Sequence, residues 1–168
     1  AGVDAFVAGS AVYGAGKGAE IVFGVILGTG VGGGIVVNQR VLTGANAIAG
    51  EWGHNPLPAT GADDLPLPTC YCGRQGCIET YLSGPGLSAD HARINGQPLS
   101  AEEIHLRAQQ GDADCEASLR RYEARLGRAL ASVINILDPH IIVLGGGLSK
   151  MRRLYENLPN CCGQHVFS

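Results

Sequence analysis

Several things are scarce in this chain, and each scarcity excludes a class of protein. No run of about 18 consecutive apolar residues occurs, so no segment reads as a membrane-spanning helix. The amino terminus lacks the charged-then-apolar pattern of a secretory leader, and a cytoplasmic setting is expected. Basic clusters are missing too: 12 Lys and Arg stand against 15 Asp and Glu, for a formal charge of -3. Such a chain has no positive field to hold a polyanion, so no nucleic-acid partner and no membrane partner is expected. Charged residues make up only 16% against 45% hydrophobic ones, a balance that favours a packed core over disorder. At 168 residues one domain is the natural count.

Glycine and cysteine are plentiful by contrast. The 26 glycines cluster at 28–34 and 145–147, with no collagen-like period. Clusters of this kind mark sharp turns or close approach to a ligand. Of the six cysteines, three fall between residues 70 and 77. In a reducing compartment that grouping points to a metal and not to disulfides.

The hydrophobic period along the chain predicts a helix over 5–14, ended by Gly14, Gly16 and Gly18. A β-branched strand follows over 21–27, then a glycine turn at 28–34 and short strands at 35–37 and 41–42 around Asn38-Gln39. These make an antiparallel meander. From Thr43 to Pro85 no period persists, which is too long for an ordinary connection. Helices resume at 86–95, at 101–110 with Ser100 and Glu103 as a capping box, and at 113–137, where Asp138-Pro139 ends the last. A strand over 140–144 runs into Gly145-Gly146-Gly147, and a further helix is predicted over 148–157. Strands and helices in this order indicate a layered α/β or α+β domain.

Cys70, Cys72 and Cys77 sit in a tight segment bent by Gly73 and Gly76. Three thiols want a fourth ligand, and the nearest suitable group is His54, sixteen residues before Cys70. The set Cys3His, without an open position, is one that tetrahedral structural zinc accepts. Cys115, Cys161 and Cys162 have no such neighbours and read as thiols without a role.

The segment Leu27-Gly28-Thr29-Gly30-Val31-Gly32-Gly33-Gly34 lies between two strands, where its amides can face a phosphate. A strand follows it, so it is not a dinucleotide loop, and no Lys-Ser/Thr closes it as in a P-loop. On its own it is a tight turn as readily as a phosphate cradle; Gly145-Gly146-Gly147, between a strand and a helix, supplies a second place for a nucleotide.

Four motifs together resemble the ROK family of sugar kinases and related repressors: the glycine segment, Gly50-Glu51-Trp52-Gly53-His54, Cys70-x-Cys72-Gly73-x-x-Gly76-Cys77-x-Glu79, and Asp138-Pro139 leading to Gly145-Gly146-Gly147. The wording around Ala49–Pro58 and Cys70–Thr80 is most similar to bacterial fructokinases that also accept mannose. The resemblance implies an actin-like ATPase (ribonuclease H-like) α/β fold, with the zinc-binding loop inserted at about 43–85. It further implies that residues 1–168 form the carboxy-terminal domain, with the amino-terminal domain and the final helices absent. Mg-ATP is the implied co-substrate and a homodimer the expected assembly.

By the same resemblance Glu51, His54 and Glu79 fall on sugar-contact positions, Thr29, Gly30, Gly32 and Gly33 on the phosphate loop, and Gly145 and Gly146 on the adenosine side. His54 would serve both metal and sugar, one through each ring nitrogen. Trp52 reads as packing. The family's Asn-Asp pair, whose aspartate acts as general base, aligns with Ala1 and Gly2. Asp4 lies two residues late and does not inherit the role. The expectation is a hexose kinase domain, for fructose or mannose, with little turnover on its own. A sugar-sensing repressor domain and a non-catalytic remnant acting as a binding or dimerisation module are the alternatives.

Overall fold

The computed structural model describes residues 2–167, with side chains for all of these except residues 2–5, Val7 and Tyr13. Helix α1 (Gly2–Tyr13) leads into strands β1 (Ile21–Leu27), β2 (Val31–Val37) and β3 (Arg40–Val41). After the irregular insertion come α2 (Ile78–Leu82), α3 (Gly84–Asn95), α4 (Ala101–Gln109) and α5 (Ala113–Leu137), then β4 (Ile141–Gly145) and α6 (Arg152–Gly163). Ala1, Gly2 and the side chain of Asp4, on which the question of a general base turns, fall outside what can be described at side-chain level.

The sheet has the order β3-β2-β1-β4. Strands β1 to β3 form the expected antiparallel meander, and β4 joins β1 in parallel with Val25 opposite Leu144. Period-two alternation sends successive side chains of β1 to opposite faces. Phe23, Val25 and Leu27 enter a large apolar cluster with residues of α2 to α6, while Val22 packs with Ala11 of α1 and Val36 of β2. Helices α2 to α6 therefore cover one face of a mixed sheet and α1 packs on the other. Ser100 and Glu103 form the anticipated capping box of α4, and Asp112 caps α5 through the Asp114 and Cys115 amides.

Three elements differ from the sequence-based expectation. Gly32, Gly33 and Gly34 belong to β2, paired with Ile26, Val25 and Gly24, so the turn is confined to residues 28–30. The reason is tertiary. A Cβ on Gly33 would lie 2.5 Å from the Gly50 carbonyl oxygen, and one on Gly53 would collide with the Val31 carbonyl oxygen. The insertion thus lies backbone against backbone on β2, and its Trp52 donates to the Gly32 carbonyl (3.0 Å) and meets Phe23 edge-on. Trp52 is buried, as its reading as packing requires. Helix α6 starts at Arg152 instead of 148, after a 3-10 turn over Gly147–Lys150, and continues through Pro159 because Leu154 and Leu158 remain buried along it. Helix α2 was not apparent in the glycine-rich, cysteine-rich stretch; its start is defined by Cys77 as N-cap.

A buried ion cluster fastens the rest of the insertion to α5. Asp64 accepts from Arg125 Nε (2.8 Å), Arg128 Nη2 (2.9 Å) and the Gly61 amide (2.8 Å), while its carbonyl accepts the Tyr81 hydroxyl (2.6 Å). Arg125 continues to Asp90 (3.1 Å) and lies 4.9 Å above the Tyr81 ring. Burial pushes the Asp64 carboxyl upward, but the Gly61 amide and the two guanidinium groups outweigh it and hold the group below its ordinary value. A depressed carboxylate contributes stability above its unfolded pKa, and that contribution is lost as pH falls through the lower folded value. Asp64→Ala leaves Arg125 buried without this partner, and chemical denaturation is expected to show a loss of about 3 kcal/mol. A loss under about 0.5 kcal/mol would mean that the cluster does not hold the insertion.

Candidate functional site

The insertion brings the four proposed metal ligands together. His54 Nδ1 lies 3.4 Å from Cys70 Sγ, and Cys72 Sγ lies 3.6 Å from Cys77 Sγ. All four ligand atoms fall within 4.8 Å of one another. The corners of a tetrahedron with metal–sulfur bonds of about 2.3 Å are roughly 3.8 Å apart, so the cluster fits one zinc-sized ion. Local hydrogen bonds set this shape: Cys70 N–H to the Arg74 carbonyl (2.8 Å), Gly73 N–H to the Cys70 carbonyl (3.0 Å) and Ile78 N–H to the Asn55 carbonyl (2.9 Å). The thiols differ in acidity. The Arg74 amide, ahead of the neighbouring groups, lowers Cys72 to about 7, while burial and the adjacent thiols push Cys77 up to about 12. Thiolates brought this close would repel one another, and a divalent cation at their centre would remove that repulsion.

The two glutamates flank this cluster on different supports. Glu79 is the second residue of α2, two after the N-cap Cys77, and its Oε2 accepts the Val31 amide at 2.9 Å. It therefore ties the start of β2 to the cysteine loop. A Cβ on Gly30 would lie 2.9 Å from the same oxygen, so the turn and the carboxylate are in direct apposition. Glu51 is exposed on the segment that Gly50 and Gly53 press against β2. Tyr71, which the sequence did not single out, places its hydroxyl 3.0 Å from His54 Nε2. The charge of Glu79, then partial desolvation, the sulfurs of Cys70 and Cys72, and Glu51 raise the Tyr71 phenol above its ordinary pKa, so its oxygen lies in the field of both carboxylates.

On the other side of the β1–β2 turn is a cleft of about 540 Å³, walled by Gly28, Thr29, Gly84, His105, Gly147 and Lys150 among others. The Gly28 amide is used within the turn, bonding to the Gly30 carbonyl (3.0 Å). The Thr29 and Gly30 amides have no partner among the described residues. They are the donors that a phosphate could meet. Gly32 and Gly33 lie inside β2. Gly145 packs on Phe6, and Gly146 on the Leu27 carbonyl at a φ of 85°; it is their neighbour Gly147 that reaches the cleft. His105, also not anticipated, has a buried Nδ1 without a hydrogen-bond partner among the described residues.

The ROK family pattern matches residues 2–168. An N-acetyl-D-glucosamine kinase from Yersinia enterocolitica is 42% identical over 149 residues, which is 86% of this chain and 49% of that protein. The crystal structure of a ROK family glucokinase from Streptomyces griseus, in complex with glucose and AMPPNP, superposes with a TM-score of 0.84 at 27% identity, covering 99% of this chain and 57% of that one. A ROK family transcriptional regulator, a homologue of the E. coli MLC protein, gives 0.83 at 26% identity, covering 98% and 43%. The chain spans about half the length of the curated relatives it matches. Among the described residues no helix is long and apolar enough to cross a membrane.

Replacing Glu79 by Ala removes a charged acceptor from the Val31 amide, a bond whose loss corresponds to roughly tenfold or more in local opening. Hydrogen exchange at Val31 should accelerate by that factor while amides in the middle of β1 keep their rates. An unchanged Val31 rate would show that Glu79 does not hold the turn.

Proposed function

This chain belongs to the ROK family, and from that premise we propose that it is the sugar-binding, zinc-containing carboxy-terminal domain of an ATP-dependent hexose kinase. The observation that carries the reading is the single short path from His54 through Cys77 and Glu79 to the glycine turn. It joins the His54 and cysteine cluster to the turn at residues 28–30 that also lines the cleft, which supports reading the one as a sugar site and the other as a phosphate site.

Zinc is the ion that the Cys3His chemistry favours, bound by His54, Cys70, Cys72 and Cys77 as a closed structural site. Its contribution when bound is to fix the loop and the His54 tautomer. With Nδ1 on the metal, Nε2 carries the proton and faces outward as a donor. Glu51 and Glu79 supply acceptors for sugar hydroxyls, each able to take directed bonds that reject the wrong stereochemistry. Thr29 and Gly30 offer amides to the phosphates of Mg-ATP, and Gly145, Gly146 and Gly147 shape the adenosine side. Gly32 and Gly33 act through their place in β2, by letting the sugar-site segment approach. Phosphoryl transfer depends on holding donor and acceptor in line. No general base is assigned in this chain, so turnover belongs to the whole protein, with the present chain contributing one side of the cleft.

The 42% and 43% identities to two N-acetyl-D-glucosamine kinases favour that amino sugar as the acceptor. Fructose and mannose, suggested by the wording of the two loop motifs, are the competing acceptors. A repressor domain is the second reading, supported by the MLC homologue's similar fold. The free Thr29 and Gly30 amides favour the kinase, since a sugar sensor has no use for a phosphate cradle. A cytoplasmic homodimer is part of the proposal.

Calorimetry with N-acetylglucosamine, mannose and fructose is expected to show binding to the purified chain, with N-acetylglucosamine tightest. Glu51→Ala should weaken it by about tenfold or more, the worth of a charged hydrogen bond to a sugar hydroxyl. Absence of binding by any of the three would remove the sugar-site reading. Metal analysis should return one zinc per chain, released on acidification as protons compete for the thiolates. A folded, zinc-free chain would remove the metal.

A further inference from the structure

His54 has two ring nitrogens and two prospective partners. Nδ1 faces Cys70 and the sulfur cluster, leaving Nε2 as the only end that a sugar could reach. That end is occupied. The Tyr71 hydroxyl sits 3.0 Å from Nε2, with the two rings perpendicular and their centroids 5.1 Å apart. This is the one hydrogen bond that the Tyr71 side chain makes among the described residues, and the residue is otherwise 84% exposed. An exposed phenol held by a single bond can leave its position at small cost, because water satisfies the hydroxyl once it has swung away.

We propose that Tyr71 is a residue of the sugar site whose phenol holds the place of a sugar hydroxyl at His54 Nε2 and must be displaced for the sugar to bind. The inference rests on the sugar-site reading above. A neutral imidazole bound to a metal through Nδ1 has one proton left, on Nε2, and that proton serves one acceptor at a time. A phenol oxygen and a sugar hydroxyl oxygen are the same kind of acceptor, so they compete for it. Binding affinity is then lowered by the fraction of time the phenol is in place. A ligand without a hydroxyl at that position gains nothing by moving the ring. Tyr71 thus acts on selectivity as well as on affinity, without itself touching the reacting atoms.

Tyr71→Phe keeps the ring and removes the competitor. In calorimetry with N-acetylglucosamine the variant is expected to bind roughly two- to tenfold more tightly than the parent chain, the range that one neutral hydrogen bond accounts for. Zinc content should stay the same, since Tyr71 is not a ligand. Tyr71→Ala, at so exposed a position, should fold and also bind more tightly than the parent. In a set of monodeoxy analogues one member should bind parent and Tyr71→Phe equally, and that member identifies the hydroxyl which meets His54. Equal or weaker binding of N-acetylglucosamine by Tyr71→Phe, with the parent still binding, would overturn the role of Tyr71 and leave the sugar site standing. If neither protein binds N-acetylglucosamine, mannose or fructose, both proposals fall.

Discussion

The contact on which the rest of this molecule depends is the one between two backbones, where Gly50 and Gly53 of the insertion press on Gly33 and Val31 of β2. No side chain fits in that space. Because the segment can come so close, Trp52 enters the core against Phe23, and the same segment, which carries Glu51 and His54, is held on the first residues of β2. The four-ligand cluster then extends outward from a fixed point. A larger residue at Gly33 would force the Gly50 backbone or β2 to shift, and the carboxylates, the imidazole and the turn would lose their common frame.

A stretch without hydrophobic period needs other sources of order, and here three act on different parts of it. The close approach to β2 holds residues 50–53, the sulfur and imidazole cluster holds residues 70–77, and the Asp64 ion cluster holds the middle against α5. Burying two charges is costly unless each is well paired, and Asp64 meets that condition with two guanidinium groups and an amide. The arrangement ties the loop to the longest helix of the domain. Movement of the loop relative to the sheet would have to break a buried ion pair, which gives the residues proposed to bind sugar a rigid base.

Within that frame the parts that can move are at its outer edge. Tyr71 is exposed on a loop whose backbone is fixed by the cysteines around it, so its ring can rotate without disturbing them. In the proposed sugar site, preorganisation of the imidazole and the carboxylates would lower the ordering cost of a sugar, while the phenol would set a small counterweight at one contact. Beside the turn, the amides of Thr29 and Gly30, without a partner among the described residues, and the cleft walled by Gly147 and His105 offer the surface proposed for the nucleotide. The close apposition of Gly30 and Glu79 means that a change on either side of the turn is felt on the other.

The sequence by itself determined the meander, α4, α5 and their caps, because these follow from local period and from side chains that bond to amides three residues away. It also pointed to the proposed metal ligands, which the fold brings together, since C-x-C-x4-C with a nearby histidine is a local pattern. Family membership was legible from the same motifs. What only the tertiary structure decided was the meaning of the glycines. Gly32 and Gly33 look like part of a turn until Gly50 is seen lying on Gly33, and the need for glycine at 146 is explained only when the Leu27 carbonyl is seen beside it. The starts of α2 and α6 were hidden for a similar reason, being set by Cys77 as a cap and by burial of Leu154 and Leu158 and not by local propensity. Tyr71 was beyond reach altogether: a tyrosine between two cysteines carries no signal of its own, and its role follows from where the folded loop places its hydroxyl, on the one nitrogen of His54 that faces outward.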